Sequence, residues 1–126
     1  MKKLLLLLLP ALASAETVRL VHEPALSPDG KTVAFGWMGD IWTVSTDGGR
    51  ATRLTTHPAL DSGAAFSPDG KQIAFNSERE GFKLLYSMPS NGGEPKQLTF
   101  HTDGCDLREW TPDGKGLLVG LGRDYS

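Results

Sequence analysis

Short apolar runs separated by clusters of Gly, Pro, Asp and Asn recur along this chain, and none has the spacing of a helix face. Val33-Ala34-Phe35 and Ile73-Ala74-Phe75 share one form, a small residue between two large ones. On a strand the large and small residues point to opposite sides, so both faces are apolar and both need cover. Ile41-Trp42-Thr43-Val44 and Leu84-Leu85-Tyr86-Ser87-Met88 are further strands, rich in aromatic, branched and long apolar residues. Asp47-Gly48-Gly49 and Asn91-Gly92-Gly93 signal hairpins after them. Ala51-Thr52-Arg53-Leu54-Thr55 and Lys96-Gln97-Leu98-Thr99 complete two sets of four strands. Near the start, Thr17-Val18-Arg19-Leu20-Val21 alternates like a strand that Pro24 breaks.

The strands are ordered around a phrase that occurs three times. Ser27-Pro28-Asp29-Gly30-Lys31 returns as Ser67-Pro68-Asp69-Gly70-Lys71 and as Thr111-Pro112-Asp113-Gly114-Lys115, at offsets of 40 and 44 residues. Each copy stands between Ala25-Leu26, Ala64-Ala65-Phe66 or Leu107-Arg108-Glu109-Trp110 and the apolar run that follows. Pro28 has φ fixed near −65°, which suits the second position of a type I turn. Gly30 can then take the left-handed conformation that closes a hairpin with a bulge. An offset of 44 also places Trp42, Gly48, Gly49, Leu54, Thr55 and His57 on Tyr86, Gly92, Gly93, Leu98, Thr99 and His101. The four extra residues fall in one polar connection, residues 77–81. An insertion confined to a loop marks repeats of one structural unit.

Four short antiparallel strands in about 40 residues is the size of a β-propeller blade. The expected fold is all-β, about two and a half four-stranded blades of an incomplete propeller. The repeats run from about 24–63, 64–106 and 107–126, the last truncated after Gly116-Leu117-Leu118-Val119-Gly120. Rings typically have four to eight blades. Leu117 and Val119 would lack cover, so residues 16–126 are expected to be part of a larger propeller.

Composition changes this picture at the amino terminus. Lys2-Lys3, an apolar run at 4–9 and Ala13-Ser14-Ala15 form the pattern of a signal peptide, residues 1–15, cut before Glu16. The run is too short for a membrane span, which needs roughly 20 residues. The expected location is periplasmic or secreted. Removing Lys2 and Lys3 leaves 11 basic and 15 acidic side chains, with no basic excess to attract nucleic acid. Cys105 is the single cysteine and cannot form a disulfide within the chain, so it is read as a small packing residue.

No catalytic constellation is present. The chain has neither a G-x-S-x-G elbow nor an H-E-x-x-H helix. His57 and His101 are repeat-equivalent, which favours a blade role, and His22 stands alone beside Pro24. Ser67, His57 and Asp69 make a triad only on paper, since all three belong to repeated positions. Asp29, Asp69 and Asp113 lack the dense spacing of a calcium loop and are read as acceptors of turn N–H groups. Trp37, Trp42, Tyr86 and Trp110 are candidates to line a ligand surface, with core packing favoured for Trp42 and Tyr86. Lys31, Lys71 and Lys115 read as solvated strand ends. No catalytic, cofactor-binding or metal-binding residue is assigned, and no cofactor is expected.

The stretch Phe66-Ser67-Pro68-Asp69-Gly70-Lys71, continued by Ile73-Ala74-Phe75, resembles WD-like propeller repeats of the TolB type. Leu54-Thr55-Thr56-His57-Pro58 before the turn narrows the likeness, as do Gly92-Gly93-Glu94-Pro95-Lys96-Gln97-Leu98-Thr99 and Trp110-Thr111-Pro112-Asp113-Gly114-Lys115 after it. So does Gly39-Asp40-Ile41-Trp42-Thr43-Val44 in the first repeat. Together they resemble the amino-terminal propeller of tricorn-protease-like serine peptidases. The second repeat departs from that pattern, with Leu84 where an Asp is usual. The resemblance implies a non-catalytic propeller that guides or gates peptides towards a protease domain elsewhere in the parent. Its implied partners are peptides or proteins and the remaining blades or carboxy-terminal domains. Two other readings stand beside it. One is a TolB-like periplasmic binding propeller without chemistry. The other is the propeller of a prolyl-oligopeptidase-type enzyme. Whether the parent is an enzyme is decided by sequence outside this stretch.

Overall fold

The computed structural model describes residues 22–100 and 103–121. The strand expected at 17–21 lies outside them, as do His101 and the segment 1–15.

The described residues form ten strands in three antiparallel sheets. The first sheet is β1 (His22–Leu26), β2 (Thr32–Trp37), β3 (Asp40–Ser45) and β4 (Thr52–Arg53), paired in chain order. The second is β5 (Asp61–Phe66), β6 (Gln72–Ser77), β7 (Leu84–Pro89) and β8 (Lys96–Gln97), in the same order. The third pairs β9 (Cys105–Trp110) with β10 (Leu117–Leu121). These are two four-stranded propeller blades and half of a third.

The repeated phrase is the turn between the first two strands of each blade: β1–β2, β5–β6 and β9–β10. The Gly30 amide donates to the Ser27 carbonyl at 2.9 Å and Gly30 has φ 74°. Gly70 and Gly114 repeat this, with φ 73° and 72°. The turn also satisfies itself through side chains. The Ser27 hydroxyl donates to Asp29 Oδ1 at 2.6 Å and accepts from the Thr32 amide at 3.0 Å, while Asp29 Oδ1 accepts from the Lys31 amide. Ser67 with Asp69 and Thr111 with Asp113 form the same network.

The alternation of large and small residues builds the contact between blades. Ile73, Phe75, Tyr86 and Met88 lie on one face of the second blade, as their cross-strand pairing requires. They share a core with Ala34 and Ile41 of the first blade. Ala34 leaves room for Phe75, and both are fully buried. Burying a side chain such as Phe75 contributes roughly 1.5–3 kcal/mol. Val33, Phe35 and Val44 form a second cluster on the opposite face of the first blade, with Trp37, Trp42 and Ala51 packed against it.

Three details differ from the sequence reading. Pro24 does not end a strand. It sits inside β1 at a bulge between His22 and Ala25, where the ladder needs no donor from it. The outer strands β4 and β8 are two residues each, shorter than expected, because Leu54 and Leu98 turn away after bonding back to Ile41 and Leu85. The repeat boundaries read near 64 and 107 fall inside β5 and β9. Asp61-Ser62-Gly63 has little strand propensity, but a bulge at Gly63 (φ 66°) lets it pair with β6.

Candidate functional site

The antiparallel order gives the propeller two ends. One carries the Ser-Pro-Asp-Gly turns and the β3–β4 and β7–β8 connections. The other carries the β2–β3 and β6–β7 turns and the links between blades.

At the first end the polar side chains are occupied by the turns. Hydrogen bonds from the Ser27 hydroxyl and the Lys31 amide hold the Asp29 carboxyl below the usual carboxylate range. Ser67 and the Lys71 amide do the same for Asp69, and Thr111 and the Lys115 amide for Asp113. Lys31, Lys71 and Lys115 are exposed. Successive turns stack, so a Cβ on Gly70 would lie 3.5 Å from Pro28 Cδ, and one on Gly114 3.6 Å from Pro68 Cδ. A cleft of about 290 Å³ lies between the first two turns, bordered by Asp29, Phe66 and Ser90.

The structure separates the paper triad. His57 is exposed on the link between blades, at the second end, and its Nδ1 accepts from the Ala59 amide at 3.1 Å. Ser67 and Asp69 sit at the first end, where the Ser67 hydroxyl is already donated to Asp69 at 2.7 Å. Among the described residues, no group of His, Cys, Asp and Glu side chains is placed to hold a metal ion.

The aromatic residues divide by role. Tyr86 is buried and stacked 6.0 Å from Phe75, and burial pushes its phenol pKa up. Trp42 packs edge-on to Trp37 at 5.2 Å and donates Nε1 to the Trp37 carbonyl. Trp110 donates Nε1 to the Ala65 carbonyl at 3.0 Å and so ties β9 to the second blade. Trp37 borders a cleft at the second end. Cys105 is buried at the start of β9, its sulfur 3.6 Å from Thr99 Oγ1.

The second end holds what the sequence reading missed. Arg79, within the connection read only as polar, bonds to both oxygens of fully buried Asp61 (3.1 and 3.3 Å) and to Ser77 Oγ. Its guanidinium lies 4.6 Å from the Tyr86 ring centroid. Asp40 pairs with Arg53, and Lys83 pairs with Asp106 at 2.9 Å. The Asp106 hydrogen bond raises the Lys83 pKa, helped by the charges of Glu78 and Glu23. A cleft of about 310 Å³ opens at the seam of the two blades, bordered by Glu23, Trp37, Met38, Leu60, Asp61 and Ser62. Met38 and Phe82 are repeat equivalents at an offset of 44. Extending the register through the turns would have paired them.

The blade plan, the turn network and the seam between blades together define a repeat type, and comparison with known proteins places it. The model of the tricorn protease N-terminal β-propeller domain matches residues 18–125. The chain belongs to this family. It is 36% identical over 93 residues to tricorn protease homolog 1 of Streptomyces coelicolor, a match covering 73% of this chain and 9% of that protein. The chain thus spans less than a tenth of that relative's length. Among solved structures, a TolB-like protein of Agrobacterium tumefaciens superposes with a TM-score of 0.72 at 30% identity, covering 79% of this chain and 37% of the other. The tricorn protease superposes with a TM-score of 0.69 at 24% identity, covering 79% of this chain and 10% of its own, a likeness of fold.

Proposed function

We propose that this chain is the non-catalytic propeller segment of an exported tricorn-like peptidase, where it guides or gates peptide substrates towards a protease domain elsewhere in the parent. The family match over residues 18–125 carries the reading. The state of the hydroxyls supports it, because Ser27, Ser67 and Thr111 are each committed to a turn carboxylate. Residues 1–15 are proposed as a signal peptide and 16–126 as the propeller part, which puts the mature protein in the periplasm or outside the cell.

The test uses the parent protein. Peptidase activity should persist through Ser67→Ala, which removes a turn hydroxyl, and should disappear when the later protease region is inactivated. Loss of chemistry with Ser67→Ala in a folded protein would refute the non-catalytic role. Amino-terminal sequencing of the exported protein should begin at Glu16; a retained Met1 would refute export by this signal.

The likeness to a TolB-like protein, at 30% identity, favours a second reading. In it the propeller is a periplasmic protein-binding module with no enzyme attached. A parent that ends once its ring is complete, and hydrolyses no peptide, would select this reading over the first.

A further inference from the structure

We propose that the second end of the propeller docks an extended segment of polypeptide that is both basic and apolar, with one lysine or arginine side chain seated in the cleft between the first two blades. This rests on reading the propeller as a peptide-binding module, and it names the class of peptide.

Apolar exposure is the first observation. Among the described residues outside β10, six large apolar side chains are exposed, and five of them are at this end: Met38, Leu60, Phe82, Leu98 and Phe100. Met38 is 72% exposed and Phe100 75%. So one-sided a distribution marks an interaction surface.

Charge is the second. The cations Arg53, Arg79 and Lys83 at this end are each paired with an aspartate. Glu23, Glu78 and Glu80 are exposed, and among the described residues none of them forms an ion pair. The Glu78 amide donates to the Leu60 carbonyl at 3.1 Å, and Leu60 borders the same cleft as Glu23. A cationic partner complements this surface.

Backbone strain is the third. Glu23 has φ 50°, at the bulge of β1, whereas the repeat-equivalent residue in β5 is Gly63 with φ 66°. A left-handed Glu is costly, and such strain persists where the side chain has a use. Glu23 borders the cleft together with Trp37, Met38 and Leu60. The apolar residues suit the aliphatic stem of a lysine or arginine, and the carboxylate suits its charged head.

The experiment is fluorescence anisotropy with the full parent chain and three short labelled peptides: alternating Lys and Leu, alternating Glu and Leu, and alternating Lys and Ser. The Lys/Leu peptide should bind best, and its affinity should fall as salt is raised. The triple variant Glu23→Gln, Glu78→Gln, Glu80→Gln should weaken it about fivefold, and Lys71→Gln at the opposite end should not. Glu23→Gly should weaken binding while keeping a melting temperature equal to or above that of the parent, because it removes strain with the charge. A purely structural Glu23 would instead lower the melting temperature. Binding that ignores peptide charge, or survives the triple variant unchanged, overturns this inference and leaves peptide binding intact. Failure of all three peptides to bind overturns both.

Discussion

The side chain of Asn76 holds the backbone of Leu107 as a neighbouring strand would. Its Oδ1 accepts from the Leu107 amide at 2.8 Å, while its Nδ2 donates to the Cys105 carbonyl at 2.8 Å. One amide thus serves a donor and an acceptor of β9 from the buried face of the second blade. Asn76→Ala would leave both without partners, at a cost of roughly 1–3 kcal/mol. Hydrogen exchange at Leu107 should quicken with the loss of thermal stability. An exchange rate equal to that of the parent would show that the seam does not depend on this bridge.

Gly70 sits at φ 73°, and its Cβ would stand 3.5 Å from Pro28, an ordinary contact. The cost of Gly70→Ala is therefore backbone strain, roughly 1–2 kcal/mol. Gly30→Ala, with φ 74° and open space around it, should cost the same. A thermal melt in which Gly70→Ala is much worse than Gly30→Ala would show that stacking of the turns, and not the left-handed conformation, sets the requirement.

Asp61 is fully buried, and Arg79 is its cation. Removing Arg79 alone, as in Arg79→Met, strands a buried charge and should cost roughly 3–5 kcal/mol. Asp61→Leu combined with Arg79→Met should recover much of that loss. If denaturant melts show the double variant to be as unstable as the sum of the singles, the two residues do not act as a pair.

Much of the fold was legible because its determinants are local. Pro28 and Gly30 set a turn within four residues, and Val33-Ala34-Phe35 specifies a strand with two covered faces. The Arg79–Asp61 pair was not legible, since 18 residues separate its members, one on β5 and the other in the β6–β7 connection of the same blade. Pro24 misled because a proline is tolerated at a bulge, and bulges leave no mark in hydrophobic alternation. The candidate surface was hidden for a related reason. Met38 and Phe82 lie in turns, where the apolar pattern that signals strands is expected to lapse, so their shared exposure shows only in three dimensions.

The turn carboxylates set a pH dependence. Asp29, Asp69 and Asp113 have folded-state pKa values below the ordinary 3.8. A depressed folded value means that the carboxylate stabilises the fold above the unfolded pKa. That contribution is lost as pH falls below 3.8 and through the folded value. Melting temperature should therefore drop on acidification in that window. Replacing all three with Asn should flatten the drop, and a curve of unchanged shape would assign the acid sensitivity to other groups.

The two complete blades differ at one ion pair. In the first, Asp40 pairs with Arg53, while the Thr55 hydroxyl accepts from the Ile41 amide and Arg53 Nε also donates to the Thr55 carbonyl. In the second, Thr99 accepts from the Leu85 amide and Gln97 donates to the Thr99 carbonyl, so the backbone bonds persist. The ion pair does not, because Leu84 and Gln97 stand at the positions of Asp40 and Arg53. The two positions thus change together, a buried acid with its cation or an apolar residue with a neutral amide. Arg53→Gln alone should cost about 1–3 kcal/mol, because Asp40 is buried and would lose its cation. Asp40→Leu with Arg53→Gln should cost less than Arg53→Gln alone, since the second blade carries that combination already. A double-mutant cycle measures the coupling, and additive single effects would show that the two blades reach the same strand geometry by independent choices.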